Sequence, residues 1–186
     1  MRRAVRATYD EDRVLVWQAH RAEIADEALQ KGRFGGASWS LRRHTVIRLS
    51  LPSLLHRVDF GRREGRERVL GLWLRRDVFD ALLQQAVHRV YEAAVYDSIR
   101  TWRLATRWAQ VSVEWHDDLG LDGHPDGTET LRIGLRQEAL RRFNEEGILS
   151  VFDLSSKLED AEALAAYRLA PYPLPEATAR RLAGEA

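Results

Sequence analysis

"RRHTVIRLSLPSLLHR", Arg42 to Arg57, changes its period halfway along. In the first half Thr45, Ile47 and Leu49 alternate with His44, Val46, Arg48 and Ser50, so the two sets fall on opposite faces of an extended strand. Pro52 then fixes φ and offers no N–H, which suits the first turn of a helix and not its interior. The stretch therefore predicts strand, turn and short helix. Arg48 lies in the middle of that strand. A buried guanidinium is costly unless it is paired, exposed or turned toward a ligand. Glu67 or Glu114 could pair with it; an anionic substrate or cofactor could also meet it.

Working outward, "RVLVWQA" (Arg13 to Ala19), "RVLGLWL" (Arg68 to Leu74), "QVSVEWH" and "TETLRIGL" carry the apolar, β-branched or alternating patterns of strands. "HRAEIADEALQKG" spaces Ile24, Ala25, Ala28 and Leu29 as a helix does, with Gly32 placed as its C-cap. "RDVFDALLQQAVHRVYE" predicts the clearest helix, with one stripe of Val78, Phe79, Leu82, Leu83, Ala86, Val87 and Val90. A second helical run surrounds "YDSIRTWRLATRWA", and "RQEALRRFNEEG" predicts a helix closed by Gly147. "SVFDLSSKLEDAEALAAYR" reads as mostly helical, and "DDLGLDGHPDG" as a loop. These elements predict a single α+β domain over 1–186, with a mixed or antiparallel sheet of about five strands and packed helices. Residues 171–186 read as a proline-punctuated C-terminal tail ending in a helical turn or two.

A chain of 186 residues suits one domain with a sizeable core. No apolar run approaches the ~18 residues of a membrane span. "MRRAVRATYD" has basic residues but no apolar stretch after them, which reads against a secretory leader. The absence of cysteine excludes disulfides, thiolate nucleophiles and Cys-based zinc sites, and makes a cytoplasmic location the expectation. A net charge of +1 supplies no overall field for nucleic acid, which is therefore a disfavoured partner. Lys31 and Lys157 are the only lysines; every other cationic side chain is arginine. A GC-rich genome produces that bias, and so does recognition of phosphate or carboxylate by the planar guanidinium fork.

The chain contains no G-x-x-x-x-G-K-S/T, G-x-G-x-x-G, H-E-x-x-H or G-x-S-x-G. "HDDLGLDGHPDG" offers oxygen and nitrogen donors, but in no EF-hand register; it reads as a solvated acidic turn, and no metal is expected. Trp17, Gln18, Ala19 and His20 end the first predicted strand just before a helix N-terminus, a place that favours anions.

"RATYDEDRVLVWQAH", the Arg42–Arg57 stretch, "RERVLGLWLRRDVF", "LRIGLRQEALRRF" and "YRLAPYPLP" together resemble, in order and over nearly the whole chain, the bacterial family catalogued as domain of unknown function 4291. The family's form of the central stretch resembles R-M-T-W-I-K-P-S-F-L-W-M-M-Y-R. Arg43, Thr45, Ile47, Ser50 and Arg57 match it, whereas Val46 and Ser53 stand where it has tryptophan, Arg48 where it has lysine, Leu49 where it has proline and His56 where it has tyrosine. Lysine-to-arginine keeps the charge but removes an amine able to transfer a proton.

The order of strand ending in a polar pair, helix, then "T-x-I-K/R-x-S" is similar to the start of NAD-dependent ADP-ribosyltransferases. That resemblance implies a nucleotide-using transferase with NAD as cofactor and an unidentified acceptor. Gln18, Arg43, Thr45, Arg48, Ser50 and Arg57 would bind the cofactor, and His20, His56 and Glu129 would serve catalysis. Two alternatives stand beside it. One is a specialised-pathway enzyme acting on a small anionic substrate, with His20, His44 or His56 as acid/base groups. The other is a non-catalytic nucleotide- or nucleic-acid-binding module.

Overall fold

A computed structural model describes residues 3–185. Met1 and Arg2, the start of the segment read for a leader, lie outside it, as does Ala186 at the end of the proline-punctuated segment. The elements run β1 (Arg6–Tyr9), β2 (Arg13–His20), α1 (Ala22–Lys31), β3 (Thr45–Arg48), α2 (Leu51–Arg57), β4 (Arg68–Arg75), α3 (Arg76–Gln84) and β5 (Val87–His88). They continue α4 (Ile99–Trp108), β6 (Val111–Leu119), β7 (Pro125–Leu135), α5 (Gln137–Arg142), β8 (Ile148–Asp153), α6 (Ala161–Ala165), β9 (Ala170–Pro171) and α7 (Glu176–Ala183).

The fold is α+β around one mixed sheet of nine strands, not about five. The extra strands have identifiable reasons. β1, β5 and β9 span two to four residues, too short for a period to show. β8 lies where a helix was expected, because Val151, Leu154 and Leu158 mimic helical spacing. Antiparallel pairing with β4, from Leu70–Asp153 to Leu74–Ile148, makes Ile148–Asp153 a strand instead. β6 and β7 also extend into the expected loop, leaving residues 120–124 as the turn between them.

α3 stops at Gln84, so the expected stripe through Val87 and Val90 breaks; Val87 enters β5 and Val90 is exposed. A side chain distant in sequence covers the end of the helix. Arg181 of α7 donates Nη2 to the carbonyls of Leu83 (2.8 Å) and Gln84 (3.0 Å) and Nη1 to that of Ala86. Those orphan carbonyls are satisfied there without another helical turn. The segment beyond residue 170 is packed, with Leu182 fully buried and the Tyr172 hydroxyl donating to Asp80 Oδ1 at 2.7 Å.

The central stretch folds as its period predicts. Ser50 caps α2, its Oγ accepting from the Ser53 N–H at 3.3 Å, and Pro52 occupies the first turn. Gly32 ends α1 in the left-handed region at φ 69°. The sheet carries apolar layers on both faces. One joins Val14, Val16, Ile47, Leu72 and Ile133 to residues of α1, α3 and α5. The other joins Leu15, Trp17 and Val69 to Leu51, Leu54 and Leu55 of α2. Burial of these side chains, each contributing about 1.5–3 kcal/mol, supplies the main driving force.

One irregularity of the sheet positions the site. β2 pairs with β4 along its whole length, from Arg13–Arg75 to His20–Arg68. With β3 it shares a single position, Trp17–Arg48. β3 turns instead to β7, pairing Thr45–Leu135 through Arg48–Arg132. Beyond Trp17, β2 and β3 therefore separate. No helix among the described residues is long and apolar enough to cross a membrane.

Candidate functional site

A cleft of about 420 Å³ opens where β2 and β3 diverge. Its floor is the end of β2, with Gln18 and His20 both buried. The gap is tied by one amide: Gln18 Nε2 donates to the Val46 carbonyl at 2.8 Å and to Thr45 Oγ1 at 2.9 Å. A carbonyl can only accept, so these bonds fix the orientation of the Gln18 amide. Its Oε1 then faces His20 Nε2 at 3.3 Å, which makes Nε2 the protonated ring nitrogen. His20 Nδ1 is left as a buried lone pair with no donor among the described residues. Burial, and after it the Arg43 and Arg66 charges, pushes the His20 imidazole down to about 3, so it is neutral across the physiological range.

The walls are cationic. Arg43, Arg48, Arg57, Arg63, Arg66 and Arg132 line the cleft, and Glu64 is the one carboxylate among its lining residues. Arg132 has a partner, Glu114, at 3.1 Å. That carboxylate also meets Arg89 at 3.6 Å and His116 at 3.5 Å. Among the described residues the Arg63 and Arg66 side chains reach backbone carbonyls, those of Arg57 and Gly65, and no carboxylate.

Arg48 is the group without a direct partner. It is 9% exposed and makes no hydrogen bond or ion pair among the described residues. Burial pushes it down to about 10, with Arg57 and Arg132 acting in the same direction and Glu114 weakly opposing, so it remains a cation at neutral pH. Neither carboxylate proposed for it is engaged there: Glu67 accepts from the Gly65 N–H at 2.5 Å, and Glu114 serves Arg132. Arg43 is half-buried and is likewise shifted down by burial and then by Arg66 and Arg21.

Of the residues singled out in the sequence, Gln18, His20, Arg43, Thr45, Arg48 and Arg57 come together at this cleft. Ser50, His56 and Glu129 are not among its lining. Ser50 is spent on the α2 cap. His56 bonds through Nε2 to the Gly120 carbonyl at 3.0 Å and sets its ring edge-on to Phe60, clamping α2 to the β6–β7 turn. Glu129 pairs with Arg3 at 3.2 Å. Arg63, Glu64, Arg66 and Arg132 were not picked out. The signal for Arg132 was present: like Arg48, it interrupts an apolar strand. The acidic turn forms no group of three or more His, Asp or Glu side chains able to hold a metal ion, and no such group occurs among the described residues.

The family model described as Domain of unknown function (DUF4291) matches residues 4–172. No curated protein and no solved structure matches the chain.

Proposed function

We propose, for a chain that belongs to the DUF4291 family, that the arginine cleft binds a nucleotide through its phosphates, and that the protein is a transferase using NAD. The observation that carries this reading is Arg48. A buried guanidinium with like-charged neighbours and no hydrogen bond or ion pair among the described residues is an expensive feature in a fold, and an entering anion would relieve it. Guanidinium forks suit the paired oxygens of phosphate better than ammonium groups do. The nearly complete absence of acid from the lining favours a ligand with two or more negative charges, such as a pyrophosphate.

In ADP-ribosyltransferases, which the start of the chain resembles, a first-strand polar residue and a strand hydroxyl hold NAD. Gln18 and Thr45 are the corresponding pair, and they are hydrogen-bonded at the cleft. The carboxylate available to such a reaction is Glu64 and not Glu129. Burial pushes the His20 imidazole down to about 3, so it does not serve as a base at neutral pH, and burial shifts His44 in the same direction.

The test is thermal stabilisation and product release. NAD and pyrophosphate should raise the melting temperature, and ligand at about 100-fold its Kd should add about 2.7 kcal/mol. NAD alone should release nicotinamide slowly, and Glu64→Gln should abolish release while retaining binding. No stabilisation by millimolar NAD, together with no nicotinamide, overturns the reading.

A further inference from the structure

A second hollow, of about 330 Å³, adjoins the arginine cleft, and His44 lines both. Its remaining walls differ in kind. Val87, Trp102 and Ala109 give it an apolar side, and Trp102 is fixed there by donating Nε1 to the His88 carbonyl at 2.8 Å. Arg136, which also lines it, is occupied by the carbonyls of Ala109 and Arg107 at 2.6 and 2.8 Å and closes the end of α4.

Between the two hollows the sheet surface is lowered by Gly134. A methyl group on that residue would lie 2.6 Å from both His44 Nε2 and Ser112 Oγ, so two polar atoms converge over a spot that a larger residue would fill only by pushing them aside. Neither side chain makes a hydrogen bond to protein among the described residues. Ser112 and Val46 are the strand neighbours of Gly134 on either side, so the convergence is built by the β6–β7–β3 register and not by a loop.

We infer that one ligand spans both hollows: its phosphates lie among the arginines, hydroxyls of its middle section meet His44 and Ser112 above Gly134, and an aromatic head group packs beside Trp102 and Val87. That is the chemistry of a nucleoside diphosphate, with the sugar at the waist and the base in the second hollow. The inference rests on the phosphate-binding reading and specifies the rest of the molecule. Each hollow lies near the lower end of ordinary ligand-pocket size, roughly 300–1,000 Å³, and the two together stay within it.

Calorimetric titration with pyrophosphate and with ADP separates the parts. On the wild-type chain ADP should bind about tenfold or more tightly than pyrophosphate. Ala109→Phe, which fills the second hollow, and Ser112→Ala, which removes the waist hydroxyl, should each reduce that advantage and leave pyrophosphate affinity unchanged. Retained pyrophosphate binding shows that the variants fold. Equal affinity for ADP and pyrophosphate in the wild type overturns the two-hollow inference but not phosphate binding. Parallel loss of both ligands in Ser112→Ala and Ala109→Phe overturns it as well. Failure of the wild type to bind either ligand overturns both.

Discussion

Arg48 and Arg132 face each other across the β3–β7 ladder, and only Arg132 has a carboxylate. Directly opposed side chains of an antiparallel pair share a face and lie close, so like charges there are destabilising. The row continues on one side of the sheet as Glu114, Arg132, Arg48, Trp17, Gly71 and Phe152, running from ionic to aromatic. Arg48 sits where the ionic half ends, with no ion pair of its own among the described residues.

Replacing Arg48 therefore separates stability from binding. Arg48→Met keeps the stem volume and deletes the charge, so it should stabilise the ligand-free protein by about 1–2 kcal/mol. For a chain of this size that is roughly a few degrees in melting temperature. The same variant should lose its response to pyrophosphate. A drop of several degrees in the absence of ligand would show the guanidinium to be structural.

His20 predicts a pH dependence. Its folded form resists protonation down to about 3, whereas the unfolded chain takes up that proton near 6.5. The unfolded state binds more protons in that interval, so the stability present above 6.5 is lost progressively as pH falls toward 3. Between pH 6.5 and 5 this one group should remove about 2 kcal/mol. Denaturant titrations across that range should show His20→Gln with the shallower slope. Equal slopes in both proteins would mean that His20 is protonated in the fold.

Gly71 sits under the Phe152 ring, where an added methyl group would lie 2.2 Å from the ring tip. Phe152 in turn stands edge-on to Trp17, with ring centroids 5.8 Å apart. Gly71→Ala should cost about 1–3 kcal/mol by displacing that ring. Combined with Phe152→Leu, the penalty should shrink, and a double-mutant cycle by chemical denaturation reads the coupling. Additive losses would place the strain elsewhere.

Asn144 holds the segment that backs His20. Its Oδ1 accepts from the Phe34 N–H at 2.8 Å and its Nδ2 donates to the Phe34 carbonyl at 2.9 Å, both in buried surroundings. Phe34 stacks on Trp39 and lies 4.9 Å, between ring centroids, from His20. Asn144→Leu strands both backbone groups and should destabilise by about 2–4 kcal/mol. Asn144→Asp should fall between, since a carboxylate still accepts from the N–H but cannot donate. Indistinguishable denaturation curves for the Asn144→Leu variant and the wild type would dismiss the clamp.

The local elements around the cleft were legible because each is written in consecutive residues. The alternation of Thr45 to Ser50, the Pro52 start and the Gly32 stop depend on neighbours in the chain alone. Gln18, His20, Arg43, Thr45, Arg48 and Arg57 could be singled out for the same reason: they flank a strand end and a strand–helix turn. Glu129 could not be placed, because its position depends on where β7 lies and on Arg3, more than a hundred residues earlier. Arg132 comes to Arg48 through sheet order, and Arg63 and Arg66 through a turn that folds back, neither of which leaves a periodic trace. Ser50 and His56 looked like ligand contacts because capping and clamping draw on the same polar side chains.

The single shared position of β2 and β3 has a mechanical consequence. Ladder hydrogen bonds bind β2 to β4, β8, β1 and β9, and bind β3 to β7, β6 and β5, as two well-laced blades. Between the blades run one ladder rung and the Gln18 amide, joined at the β1 side by the Arg6–Thr128 hydrogen bond and the Arg3–Glu129 pair. The hydrogen-bond ladder is thus thinnest along the floor of the arginine cleft, where a single paired position stands between two otherwise continuous halves of the sheet.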